Sequence, residues 1–200
     1  EDTIVLFTTD HGNHFKTRNA EYKRSCHESS IRIPMAFTGG PFTGGGCLRE
    51  MVSLVDIAPT LLDACHIPVP EDMQGHSILP LLGGKKADWE QEIFVQISEV
   101  QVGRAIRTKR WKYSVEALDK DPIKDSCSDT YTETFLYDLE HDPYELHNLI
   151  HSEAHREVCR VLAAKLKERM VGAGEKEPVI LEAEKRPEGQ LKVFEGEEEL

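Results

Sequence analysis

No Cys-x-x-Cys pair occurs among the five cysteines, Cys26, Cys47, Cys65, Cys127 and Cys159. Structural zinc sites draw their ligands from such pairs, so their absence argues against one. An odd count leaves at least one thiol unpaired, and reduced core or surface thiols are the expectation. No apolar run approaches the roughly 20 residues of a membrane-spanning helix, and no leader segment is legible at the start. Positive charge is scarce: 24 Lys and Arg stand against 36 Asp and Glu, a formal net charge of −12. That balance argues against nucleic acid and against anionic membrane surfaces as partners. The acidity is uneven, because the stretch from Glu175 to Leu200 is rich in glutamate. Large aromatic residues are few, with only Trp89 and Trp111 as candidates for an exposed carbohydrate-binding groove.

What is present amounts to one sizeable domain, or one domain plus an appendage. The chain opens almost at once on an apolar run, Thr3 to Thr8, rich in β-branched and aromatic residues. The run reads as a buried parallel strand, and a chain that starts this way reads as a piece of a longer protein. Asp10, His11 and Gly12 follow directly. Open α/β sheets place ligands beyond the carboxyl ends of their strands. A carboxylate and a neutral imidazole are both metal ligands, and glycine lets the chain turn behind them. Asp10 and His11 are therefore candidate ligands of a divalent cation; a turn carrying a surface histidine is the plainer alternative.

A polar loop follows, with Asn13, His14, Lys16, Arg18, Asn19, Tyr22, Lys23 and Arg24. Ile31 to Thr38 reads as a second strand containing Arg32 and Pro34. Met51 to Ile67 reads as a helix, with Asp56 as N-cap, Pro59 in the first turn, and Ala58, Leu61, Leu62 and Cys65 on a core face. From Trp89 the character changes. Ile93–Ile97, Gly103–Arg107, Arg110–Val115 and Thr134–Leu139 read as short antiparallel strands, the middle two forming a hairpin. Asp142-Pro143-Tyr144-Glu145 has the pattern of a capping box opening a helical turn. Ser152 is placed to cap a longer helix with Val158, Leu162, Leu166 and Met170 on one face, ending near Gly172. The expected organisation is an α/β part over 1–88, a small antiparallel sheet with helix over 89–174, and an acidic, loosely held extension over 175–200. In that extension, Val179–Leu181 and Leu191–Phe194 are apolar enough to pack on something.

Five segments in order resemble the sulfatase family of the alkaline phosphatase superfamily. Thr9-Asp10-His11-Gly12 resembles its late metal-binding turn. Tyr22 to Pro34 resembles its lysine-bearing segment, and Ser53 to Leu62 its Val-Asp-(Ile/Leu)-x-Pro-Thr-Leu helix. Met73 to Leu82 resembles its Gly-x-Ser segment. Leu136–Leu139, Asp142–Glu145 and Asn148-Leu149 resemble its closing pattern. The resemblance covers about residues 3 to 171 and implies the C-terminal portion of an alkaline-phosphatase-like α/β sandwich with a small antiparallel sheet. It implies hydrolysis of sulfate esters with a divalent metal and a formylglycine nucleophile. An oxygen-rich site favours calcium, and a histidine in it keeps manganese or zinc open. The formylglycine signature, Cys or Ser-x-Pro-x-Arg, does not occur in these 200 residues. Sulfate-ester hydrolysis by this chain alone is therefore not expected.

By resemblance, Asp10 ligates the metal, and His11 ligates it or contacts the nucleophile. Lys23 bridges a sulfate oxygen and the nucleophile, with Lys16 as runner-up. His27 either protonates the leaving group or is a hydrogen-bonded core histidine. His14 binds substrate or caps the turn. Arg32 reads as part of a structural ion pair, and Arg104 as a residue of the site's mouth or a support of the sheet. The alternatives to a sulfatase are a phosphodiester or phosphonate monoester hydrolase of the same superfamily and a non-catalytic binding module. Unpaired strands would also promote oligomers through exposed sheet edges.

Overall fold

The structure is a computed structural model that describes residues 2–84 and 89–183. In chain order the elements are β1 (Val5–Thr8), α1 (Glu28–Ile31), β2 (Met35–Thr38), α2 (Ile57–Ala64), α3 (Leu79–Leu82), β3 (Glu92–Ile97), β4 (Gly103–Thr108), β5 (Trp111–Glu116), β6 (Thr130–Asp138), α4 (Arg156–Gly172) and β7 (Val179–Leu181). The chain divides into two compact units, residues 1–10 with 33–93, and residues 11–32 with 94 onward.

In the first unit β1 and β2 form an antiparallel ribbon, with Val5 opposite Thr38 and Thr8 opposite Met35. This corrects the expected parallel, buried strand. Periodicity reports how apolar a segment is but not which way its neighbour runs, and Val5 and Phe7 are exposed here. Arg32 caps the short helix α1 instead of lying in a strand, so the second strand is shorter than expected. Asp56 is buried, and its carboxylate accepts from the Ser53 amide at 2.7 Å and the His76 amide at 2.9 Å, stitching the helix start to the Gly75 turn. A Cβ on Gly75 would stand 2.0 Å from the Val55 carbonyl oxygen, so this crossing requires glycine. α2 is shorter than read from sequence. Pro59 and Thr60 are its buried positions, while Leu61 and Leu62 are half-buried and Ala58 and Cys65 exposed.

In the second unit a five-stranded sheet runs in the order β3-β4-β5-β6-β7. β4, β5 and β6 pair antiparallel, and β7 adds to β6 in parallel. The sheet is thus mostly antiparallel. β7 falls in the segment read as an extension, whose other apolar run, Leu191–Phe194, lies outside the described residues. Alternate strand residues serve two faces. On one, Ile106, Tyr113, Val115, Tyr131 and Leu136 pack with Cys159, Leu162, Leu166 and Met170 of α4. On the other, Ala105 and Ile97 pack with Cys26, flanked by Val95 and Phe135. The lysine-bearing segment is therefore built onto the sheet through its own core contact. All five cysteines are free.

Residues 142–149 form no helix, a correction to the capping-box reading. Asp142 accepts from the His147 amide at 2.8 Å, but Glu145 turns inward, buried, with φ at +56°. Its carboxylate has stronger partners than a helix terminus offers.

Candidate active site

Gly12 begins the site's architecture. Its amide donates to the Ser30 carbonyl at 2.8 Å, and a Cβ there would stand 2.1 Å from the Ser29 carbonyl oxygen. Only glycine allows the turn to lie this close to α1. The adjoining His11 ring sits 2.7 Å through Nδ1 from the Gly12 carbonyl and 2.9 Å through Nε2 from Lys23 Nζ. A carbonyl only accepts and an ammonium only donates. Nδ1 therefore carries the proton, and Nε2 presents a lone pair to Lys23. Tyr22 completes the group, its ring centroid 5.9 Å from that of His11 and 5.5 Å from the Lys23 ammonium.

His14 lies behind this pair. It is buried, and its Nε2 donates to the Lys23 carbonyl at 3.0 Å while its amide donates to the Tyr22 carbonyl at 2.8 Å. Its role is to brace the lysine's backbone. Lys16, the runner-up to Lys23, is exposed on a backbone with φ at +62°. Asp10 is exposed at the end of β1, where its carboxylate accepts from the Thr9 hydroxyl at 3.3 Å.

His27 is buried, with Nε2 3.2 Å from the Tyr137 hydroxyl and its ring edge-on to Phe135. Burial, reinforced by the positive charges of Arg18 and Lys112 and by His14, holds its pKa well below the ordinary imidazole value. It lies in the core as a hydrogen-bonded, buried imidazole. Arg104 is likewise buried. It pairs with Glu175 at 2.7 Å and donates to the Ser126 carbonyl at 2.7 Å, which makes it a support of the sheet.

A charged group that sequence reasoning missed underlies the lysine segment. Lys112, fully buried in β5, places Nζ 2.8 Å from Glu28 and 2.5 Å from Glu145. Arg107 adds a 3.1 Å pair to Glu28. Burial raises the pKa of both carboxyls. At Glu28, Lys112 and the Arg107 bond outweigh it and leave the group below the usual range. At Glu145 burial prevails. The available signal was a lysine among the apolar residues of Trp111–Val115, where a strand buried on both faces has no place for an unpaired ammonium.

Among the described residues no group of three or more His, Cys, Asp and Glu is placed to hold a metal ion. Asp10 and His11 suit a cation by donor chemistry, since the His11 tautomer leaves Nε2 as a Lewis base. Two donors are only part of a coordination set. Trp89 is half-buried and donates to the Met51 carbonyl at 2.7 Å, while Trp111 is half-buried with the Arg110 guanidinium 4.7 Å from its ring centroid.

Residues 20–172 match the family described as N-sulphoglucosamine sulphohydrolase, C-terminal. The chain belongs to this sulfatase family. Lys23, His27, Glu28, Lys112 and Glu145 fall inside the matched range, and Asp10 and His11 precede it. Arylsulfatase K of Mus musculus is 33% identical over 159 residues, which are 74% of this chain and 27% of the relative. Choline-sulfatase of Rhizobium meliloti (strain 1021) is 32% identical over 154 residues, 74% of this chain and 27% of the relative. Among solved structures, BT4656 in complex with its substrate D-glucosamine-2-N,6-O-disulfate superposes with a TM-score of 0.71 at 25% identity, over 88% of this chain and 35% of that one. The chain thus spans about a quarter of the length of the curated relatives it matches.

Proposed function

We propose that this chain carries the lysine side of a sulfuric ester hydrolase site. In this reading Lys23 binds a sulfate oxygen, and Asp10 and His11 are donors to a divalent cation. The observation that carries it is the 2.9 Å contact between Lys23 Nζ and the His11 Nε2 lone pair, inside a chain of the sulfatase family. A compact ammonium on a flexible stem suits a tetrahedral anion. The contact leaves it half-buried and directed at one point. When bound, the cation supplies electrostatic neutralisation of the sulfate oxygens as charge develops on them. His11 has a single lone pair on Nε2, so it serves either the Lys23 ammonium or a cation. Cation binding is therefore expected to free the ammonium for the sulfate. His27 is read as a core residue and not as the leaving-group acid, a reading supported by its burial and its hydrogen bond to Tyr137.

The substrate class is a sulfate ester. An arylsulfatase and a choline-sulfatase among the relatives, and the disulfated glucosamine bound by the structural neighbour, support that class without fixing the alcohol. Calcium remains the preferred cation on the chemistry of an oxygen-rich site, with manganese or zinc as alternatives. A phosphodiester or phosphonate monoester hydrolase is the second reading. It is supported by fold likeness to phosphonate monoester hydrolases at 21% and 23% identity, and fold alone does not identify a substrate.

The test is calorimetric titration of the chain with inorganic sulfate and with 4-nitrophenyl sulfate, each with and without calcium. Lys23→Ala is expected to weaken both anions by about tenfold, the worth of one charge-assisted contact. Lys16→Ala is expected to leave them unchanged. Binding that ignores Lys23 would remove the reading.

A further inference from the structure

We propose that Glu145, acting with Lys112 and Arg18, is a positioning residue that holds Lys23 in register with His11. The inference rests on the reading of Lys23 as the sulfate-binding group. It gives a task to the Asp-Pro-Tyr-Glu segment, which sequence alone assigned to helix capping.

The Cys26 core contact, the His27–Tyr137 hydrogen bond and an Arg24–Glu99 ion pair all hold the segment 11–32 to the rest of its unit. Glu145 takes part in two further tethers of this segment, and Lys23 lies between those two in sequence. At one, the Arg18 guanidinium donates to the carbonyls of Tyr144 and Glu145, both at 2.7 Å. At the other, Glu28 is gripped three ways. Its carboxylate meets Lys112 at 2.8 Å and Arg107 at 3.1 Å, and its amide donates to Glu145 Oε2 at 2.8 Å. Glu145 belongs to both tethers. Its backbone carbonyl takes one, and its side chain takes the other while also closing on Lys112 at 2.5 Å. The left-handed backbone at this residue, φ +56°, is uncommon for a side chain of this size. Backbone outliers of this kind persist only where the surroundings over-determine them.

A buried ion pair of this kind is a poor way to gain stability, because apolar residues of equal volume do as well or better. What it provides is direction: each carboxylate oxygen accepts from a fixed donor, so the segment cannot slide along the sheet without breaking several bonds together. Lys23 has only light support of its own between the tethers. His14 and Asn19 donate to its carbonyl at 3.0 and 3.4 Å, and its ammonium reaches His11. In this proposal the Cys26 and Arg24 contacts hold the segment against the sheet, and the two Glu145 anchors that flank Lys23 set the register of its contact with His11.

The experiment compares the full 200-residue chain with Glu145→Gln, Arg18→Lys and, as a control remote from the anchors, Leu166→Ala. Glu145→Gln preserves shape but cannot accept both the Glu28 amide and the Lys112 ammonium. Arg18→Lys keeps the charge and loses the two-carbonyl grip, and it serves if Glu145→Gln fails to fold. The readout is the 15N-resolved NMR signal of the Lys23 ammonium and its coupling to the His11 imidazole, which does not depend on any bound ligand. Both anchor variants are expected to accelerate proton exchange of that ammonium by about five- to tenfold, one hydrogen bond's worth. Leu166→Ala should leave it at the wild-type rate despite its own loss of stability. An unchanged Lys23 signal in folded Glu145→Gln or Arg18→Lys overturns the proposal. So does an equal change in Leu166→Ala, which would mark the effect as general loosening. Sulfate binding is measured in parallel with Lys23→Ala. If binding ignores Lys23 while the anchor variants still disturb its ammonium, the functional reading fails and the positioning relation stands as a structural fact.

Discussion

Two buried side chains show how residue chemistry sets this unit's response to its surroundings. His27 is neutral in the folded chain because burial and neighbouring positive charge hold its pKa well below the ordinary value of 6.5. The unfolded chain keeps the ordinary value, so it binds the extra proton first as pH falls. Stability is therefore full above about pH 6.5 and declines below it, at no more than about 1.4 kcal/mol per pH unit for one group. His27→Phe packs the same space between Phe135 and Tyr137 without a titrating nitrogen. Its urea-unfolding free energy is expected to be flatter between pH 6.5 and 5 than that of the wild type. Lys112 is the second case. Lys112→Met leaves Glu28 with Arg107 but strands the Glu145 carboxylate, and an expected loss of about 3–5 kcal/mol follows from the uncompensated buried charge. Denaturation curves above and below the carboxylate range would check this, the deficit shrinking in acid as Glu145 takes up a proton. The Cys26 thiol beside these groups is pushed up to about 11 by burial and stays protonated and unreactive at neutral pH.

At the scale of elements, α4 is what covers the sheet. Cys159, Leu162, Leu166 and Met170 recur at spacings of three and four and are all buried, while the intervening charged residues of the helix stay outside the core. Leu166 is fully buried against the strands. Leu166→Ala is expected to cost about 2–5 kcal/mol, read from the shift of the denaturation midpoint at constant slope. β6 runs longer than its apolar centre suggests, since Thr130 to Thr132 pair with β7 and draw that late strand into the sheet. Glu175 reinforces the junction by pairing with Arg104 and accepting from Gln96 at 3.0 Å.

For the whole chain, family membership and content point the same way. The chain belongs to the sulfatase family, and its 200 residues contain no Cys or Ser-x-Pro-x-Arg sequence from which a formylglycine is made. The chain alone is expected to show no turnover of 4-nitrophenyl sulfate and only weak binding of calcium or manganese, in the millimolar range or weaker for so few donors. Steady-state assay and calorimetry check the two halves of that statement, and clear turnover would reveal a nucleophile that these residues do not disclose.

Much was legible without coordinates. Strands β3 to β6 of the sheet, the amphipathic helix α4 and the glycine turn at Gly12 follow from local properties: periodicity, capping residues, and residues with unique backbone freedom, whereas β7 lies in the segment read as an extension. Motif order likewise sufficed to indicate the family. Other features depended on which distant residues meet. The direction of the β1–β2 pairing, the inward turn of Glu145 and the burial of His27 against Phe135 and Tyr137 lie in this class. A helix cap and a buried salt bridge draw on the same Asp-Pro-Tyr-Glu sequence, and only the arrival of Lys112 and Glu28 from elsewhere in the chain decides between them. The physical reason is that propensity acts over a few residues, whereas desolvation and charge pairing are settled by neighbours far apart in the chain, which the fold alone brings within hydrogen-bonding distance.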